Sequence, residues 1–163
     1  MWTRTIVVGT VLMLSRATDA AGQQTVDSHA AFERLKRLVG TWTSTETGRS
    51  GSGQVTTFKM AGGGRVLVED AGGTLSNTFH LDVDRLMLTH YCGSGNQPRM
   101  RVREVDDRRL SFEIFDITNL ASPKAYRTTH LDVVFLSDDR VEFAYRGVAD
   151  GRESTQILQL TRK

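Results

Sequence analysis

The spacing of apolar positions changes once along the chain. From His29 to Val39 the apolar residues Phe32, Leu35 and Leu38/Val39 share one helical face, with Glu33, Arg34, Lys36 and Arg37 elsewhere. Asp27 or Ser28 is placed to cap this helix, and Gly40 to stop it. After Gly40 the period shortens to that of strands. Short runs follow at Thr41–Thr47, Gln54–Ala61, Arg65–Asp70, Leu75–Leu81, Arg85–Cys92, Arg99–Val105, Arg109–Phe115, Tyr126–Phe135, Arg140–Val148 and Ser154–Thr161. Turn formers separate them, among them Gly62-Gly63-Gly64, Asp82–Asp84, Gly93–Pro98 and Ala149-Asp150-Gly151. The pattern predicts an all-β domain of about ten antiparallel strands in up-and-down order behind one short N-terminal helix. Such strands lose their exposed edges by closing into a barrel, and a barrel of that size has room for a ligand. An open sheet or sandwich is the alternative.

Register decides which groups face the interior, because side chains alternate across a strand. With Val83-Asp84 as a two-residue loop, Asp82 pairs with Arg85, Leu81 with Leu86, Phe79 with Leu88 and Asn77 with His90. The apolar face of that hairpin then points inward, and His90 and Cys92 continue it. The next hairpin leaves two registers open. With Asp107-Arg108 as its loop, Val105 pairs with Leu110 and Arg103 with Phe112, so Arg101 and Arg103 turn inward. A loop one residue longer turns Met100 and Val102 inward instead. The first register makes the cavity an anion receptor, and the second avoids burying an unpaired arginine. Val141, Phe143 and Tyr145 alternate with Glu142, Ala144 and Arg146, which places the Tyr145 hydroxyl inside.

The first residues stand apart from this pattern. Arg4, the apolar run Ile6–Leu14 and the small residues around Ala20 read as a signal peptide over residues 1–20, with a polar lead-in at 21–28 and the barrel domain at 29–163. The protein is therefore expected to be secreted or periplasmic, with no integral membrane segment once the signal is removed. Charge adds little. The formal net charge of +2 over 163 residues gives no footprint for nucleic acid. One cysteine forms no intrachain disulfide, so the core alone must hold the domain.

The run Leu38-Val39-Gly40-Thr41-Trp42 resembles the helix-to-first-strand Gly-x-Trp entry of the calycin superfamily, which includes lipocalins, fatty-acid-binding proteins and nitrobindin-like barrels. Leu88-Thr89-His90-Tyr91-Cys92, Gly95-Asn96-Gln97-Pro98-Arg99-Met100 and Asp116-Ile117-Thr118-Asn119-Leu120 resemble a group of secreted bacterial lipocalin-like domains of unknown function. The likeness covers roughly residues 30–161. It implies a calycin-like barrel and, by way of the nitrobindin-like members, a haem on His90 as an alternative.

The candidate chemistry centres on Arg85–Arg103. Phe79, Leu88, Phe112 and Tyr145 are expected to supply cavity wall, and His90, with Cys92 and Arg101, its polar contacts. Asn96 and Gln97 either shape a tight loop or rim the mouth, and Trp42 either plugs one end or touches the ligand. His90 and Cys92 stand two residues apart on one strand, too far for a direct nucleophilic dyad. The scattered histidines show no metal-ligand spacing. The expected function is exported binding of a small apolar or amphiphilic molecule. An enzyme using His90 as acid/base with Tyr91 or Tyr145, and an envelope or interaction protein with a filled barrel, are the alternatives.

Overall fold

The computed structural model describes residues 27–44 and 53–163. The expected signal segment 1–20, most of the lead-in, and residues 45–52 lie outside the described residues.

Helix α1 covers Ser28–Lys36. Asp27 caps it, accepting a hydrogen bond from the Ala30 amide at 2.9 Å. The helix ends earlier than the sequence suggests, with Arg37 as its C-cap still in right-handed geometry. Gly40 does not stop the helix; it opens the first strand, at φ +136°.

Ten strands follow. They are β1 (Gly40–Ser44), β2 (Val55–Ala61), β3 (Val66–Asp70), β4 (Ser76–Asp82), β5 (Arg85–Tyr91), β6 (Gln97–Val105), β7 (Arg109–Thr118), β8 (Arg127–Ser137), β9 (Arg140–Ala149) and β10 (Arg152–Arg162). Each pairs with its sequence neighbours, and β1 pairs with β10 to close the barrel. The protein is thus an all-β closed antiparallel barrel with one short helix, as the period-two pattern predicts. No helix among the described residues is long and apolar enough to cross a membrane.

An up-and-down barrel sends its turns alternately to its two ends. The turns at 62–65, 83–84, 106–108 and 138–139 gather at the end that α1 closes. Phe32, Leu35 and Leu38 are buried there. Arg34 donates to the Asp106 carbonyl at 2.5 Å, and Arg37 pairs with Asp138, so polar contacts tie the helix to two of those turns. Trp42 sits at the same end, donating from Nε1 to the Leu38 carbonyl at 2.7 Å and meeting Phe58 edge-on at 6.3 Å.

Above the helix the interior is filled. Phe58 stacks on Phe143 at 5.8 Å and Phe79 meets Phe112 edge-on at 5.7 Å, with Leu67, Leu88, Met100 and Val133 buried around them. Each such side chain contributes about 1.5–3 kcal/mol by leaving water. The expectation that Phe79, Leu88 and Phe112 line a cavity is corrected to this extent: they form the packed middle layer.

The β4–β5 hairpin has the anticipated register, from Asp82↔Arg85 through Asn77↔His90. The β6–β7 hairpin combines the two alternatives. Val105 pairs with Leu110, as the short loop requires, but the register shifts between Val102 and Glu104. Arg103 is the extra residue, a β-bulge that restores Val102↔Phe112 and Met100↔Ile114 pairing below it. Met100 is fully buried, whereas Arg101 and Arg103 are exposed on the outer face. Arg103 pairs there with Glu113 at 3.0 Å. The inward register for the arginines is the one the fold does not take. One bulged residue outside costs far less than two buried, unpaired guanidiniums.

Candidate functional site

The composition of the interior changes toward the open end of the barrel. Ser44, Thr56, Glu69, Asn77, His90 and Thr128 are all buried, each at the open-end half of its strand. Three of them stand side by side on adjacent strands, because Glu69 pairs with Asn77 and Asn77 with His90 across the ladder. Tyr145 reaches them from β9.

Asn77 is the hub. Its Nδ2 donates to Glu69 Oε2 at 2.6 Å and to the Tyr145 hydroxyl oxygen at 2.9 Å. That leaves its Oδ1 as an acceptor, 2.8 Å from His90 Nδ1. The bond assigns the imidazole proton to Nδ1 and leaves Nε2 a bare acceptor, with no protein partner among the described residues. Burial drives the His90 pKa down from 6.5 to about 4, so the ring is neutral at ordinary pH. Burial raises the Glu69 pKa from 4.5 to about 7, against the lowering effect of the Asn77 hydrogen bond. Burial also pushes the Tyr145 hydroxyl well above its usual range, and the Glu69 charge adds to this. Glu69 Oε1 is buried with no hydrogen-bond partner.

Above this layer lies a cavity of about 470 Å³, lined in part by His90, Cys92, Tyr126, Thr128, Tyr145 and Gln156. Local backbone features shape it. Thr128 pairs with Gly147 but His130 with Arg146, so Thr129 is a bulge that turns Thr128 inward. The Tyr126 ring lies against bare backbone at Gly147, where an added Cβ would come within 2.5 Å of its hydroxyl. On the opposite rim, a Cβ on Gly93 would sit 2.8 Å from the Thr74 carbonyl oxygen, so two loops meet there through backbone contact.

Of the residues singled out in the sequence, the cavity brings together His90, Cys92 and Tyr145. Cys92 is half-buried, and its sulfur accepts from the Ser94 hydroxyl at 3.0 Å. Asn96 is buried and secures the rim rather than facing the cavity, with Nδ2 donating to the Tyr126 carbonyl at 2.6 Å. Gln97 is spent on the same loop, donating to the Gly95 carbonyl at 2.7 Å and accepting from Thr118 at 2.8 Å. Arg101 lies outside, and Trp42 is at the far end of the barrel, under the Arg162 guanidinium at 4.3 Å. The reading of the sequence missed Glu69, Tyr126 and Thr128, and it used Asn77 only to set the register. Glu69 left one trace: an acidic residue two positions after Leu67, on the same strand face. The flanking Val66 and Val68 hid it by making both faces apolar.

Among the described residues, no three His, Cys, Asp or Glu side chains converge as a metal site. The arrangement therefore offers an acceptor nitrogen, a thiol, hydroxyls and aromatic faces around a small cavity. No family model matches the chain, and no curated protein matches it.

Proposed function

We propose that this is an exported, calycin-like barrel that holds a small, partly apolar molecule in its open-end cavity. The observation that carries the reading is His90. A buried imidazole is fixed in one tautomer by Asn77, and its free Nε2 is left at a cavity wall. A histidine serving only the core would have both nitrogens spent or excluded. The cavity volume of about 470 Å³ falls within the usual range for small-molecule pockets.

The two alternatives fare less well. A barrel filled only for structure gives no reason to fix a buried imidazole in one tautomer beside an open-mouthed depression. Acid/base catalysis calls for a group at the cavity wall that exchanges protons near neutral pH; Glu69, raised to about 7, does not line the cavity, and His90 is held far below that range. Its hydrogen-bond partner, Asn77, carries no exchangeable charge. The packing also disfavours a haem on His90. The aromatic layer occupies the interior beneath it, and the cavity wall includes Thr128, Ser94 and Gln156 rather than a flat apolar slot.

Native mass spectrometry of protein purified from its own periplasm or culture medium tests the proposal. We expect a co-purifying small molecule on the wild type that is lost from folded His90→Ala. A wild type that runs clean under non-denaturing conditions would count against a tight binder.

A further inference from the structure

The cavity has an acceptor nitrogen, hydroxyls and aromatic faces, and no cation among the described residues of its wall. Among the described residues, no lysine or arginine lines it. The two candidate arginines, Arg101 and Arg103, are on the outer face. The His90 ring presents an acceptor, and the Tyr126 and Tyr145 rings share the wall with it, Tyr145 at 5.4 Å from His90 between centroids. Behind His90, linked to it through Asn77, is the fully buried Glu69 carboxyl with Oε1 unpartnered.

Among the described residues, the neighbours of Glu69 supply no countercharge. It pairs with Phe58 on β2 and Asn77 on β4, and Tyr145 approaches from β9 through Asn77. The charge that acts on it from β3, Asp70, is also negative. A buried carboxylate without a cation is costly, and its environment favours any ligand that brings one. An anionic ligand would find hydroxyl donors such as Tyr126 and Thr128 but, among the described residues, no cation in the wall and a buried carboxyl of its own sign behind it.

We propose, building on the small-molecule reading above, that the cavity selects a protonated amine. The ammonium donates a hydrogen bond to His90 Nε2 and rests against the tyrosine rings. Glu69 does not touch the ligand; it is the countercharge acting from behind the wall, with Asn77 between its carboxyl and the His90 ring. The apolar remainder of the ligand fills the mouth between Leu75 and Tyr126. Glu69 ionises as the cation arrives, so binding releases a proton near neutral pH.

Calorimetric titration of the whole protein with three probes on one skeleton tests this: 2-phenylethylamine, 2-phenylethanol and 3-phenylpropanoate. The amine is expected to bind at least about tenfold more tightly than the alcohol, and the carboxylate more weakly than either. In Glu69→Gln the advantage of the amine over the alcohol, taken as the ratio of their affinities on the same variant, shrinks by about tenfold. Should that variant fail to fold, the ranking on the wild type decides alone. Equal or tighter binding of the alcohol or carboxylate overturns the amine assignment and leaves the binding function standing. If none of the three binds, the chemical class of the co-purifying molecule decides: an amine supports the assignment, and any other class overturns it. Absence of both probe binding and a co-purifying molecule overturns both proposals.

Discussion

Glu69 and His90 titrate in opposite senses within one hydrogen-bonded cluster. The folded His90 has its pKa lowered to about 4 from 6.5, so between those values the unfolded chain binds more protons. Its contribution is fully present above pH 6.5 and is lost as pH falls through 4. The folded Glu69 has its pKa raised to about 7 from 4.5, so there the folded chain binds more protons. Its contribution is fully present below pH 4.5 and is lost as pH rises through 7. Each is worth on the order of 3 kcal/mol across its window. Between pH 4.5 and 6.5 the two oppose each other. Urea unfolding across this interval should therefore show Glu69→Gln gaining stability with rising pH and His90→Gln losing it. The wild type should be flatter than either. Parallel pH profiles for all three proteins would break the assignment of these shifts.

At the scale of elements, regular alternation was legible in the sequence and its interruptions were not. The β4–β5 hairpin could be registered pair by pair because Phe79, Leu81, Leu86 and Leu88 define one apolar face around a two-residue loop. That register also brought His90 inward. The β6–β7 hairpin could not be resolved, because Arg103 bulges out and changes the phase between two correctly placed halves. Nothing in the local residue types marks that bulge. Thr129 has the same effect on β8, and for that reason Thr128 and Tyr126 were not seen as cavity residues. Gly147 couples these features, since its missing side chain makes room for the Tyr126 ring. Gly147→Ala should push that ring out of place at a stability cost within about 1 kcal/mol, because a side chain rather than backbone must yield. The expected outcome is a near-normal thermal midpoint with loss of the co-purifying molecule in native mass spectrometry. Retention of the molecule would show that Tyr126 does not shape the cavity.

For the whole molecule, closure runs through the seam between β1 and β10. Among the described residues the β1–β10 register runs from Trp42↔Arg162 to Ser44↔Leu160. Arg162 reinforces it from one side chain, donating to the Val39 carbonyl at 3.0 Å and the Arg37 carbonyl at 2.7 Å while its guanidinium covers Trp42. Gly40 leaves the space it needs, since an added Cβ there would be 3.1 Å from Arg162 Nη1. Arg162→Ala should cost about 2–3 kcal/mol in chemical denaturation, as two carbonyls at the helix end lose their donor and the ring its cover. Lysine should restore only part of this, because one ammonium does not reproduce the planar fork. A loss below about 0.5 kcal/mol would mean that strand pairing alone holds the seam.

The same seam determines which way the barrel faces. The amide of Lys163 donates to the Thr41 carbonyl at 2.9 Å, so β10 finishes beside the start of β1, at the end closed by α1. A tether fixed at Lys163 therefore lies at the opposite pole from His90. Held to a bead or sensor surface by that end, the protein would present its opening to the surrounding solution, ready to capture a freely diffusing solute without repositioning the anchor.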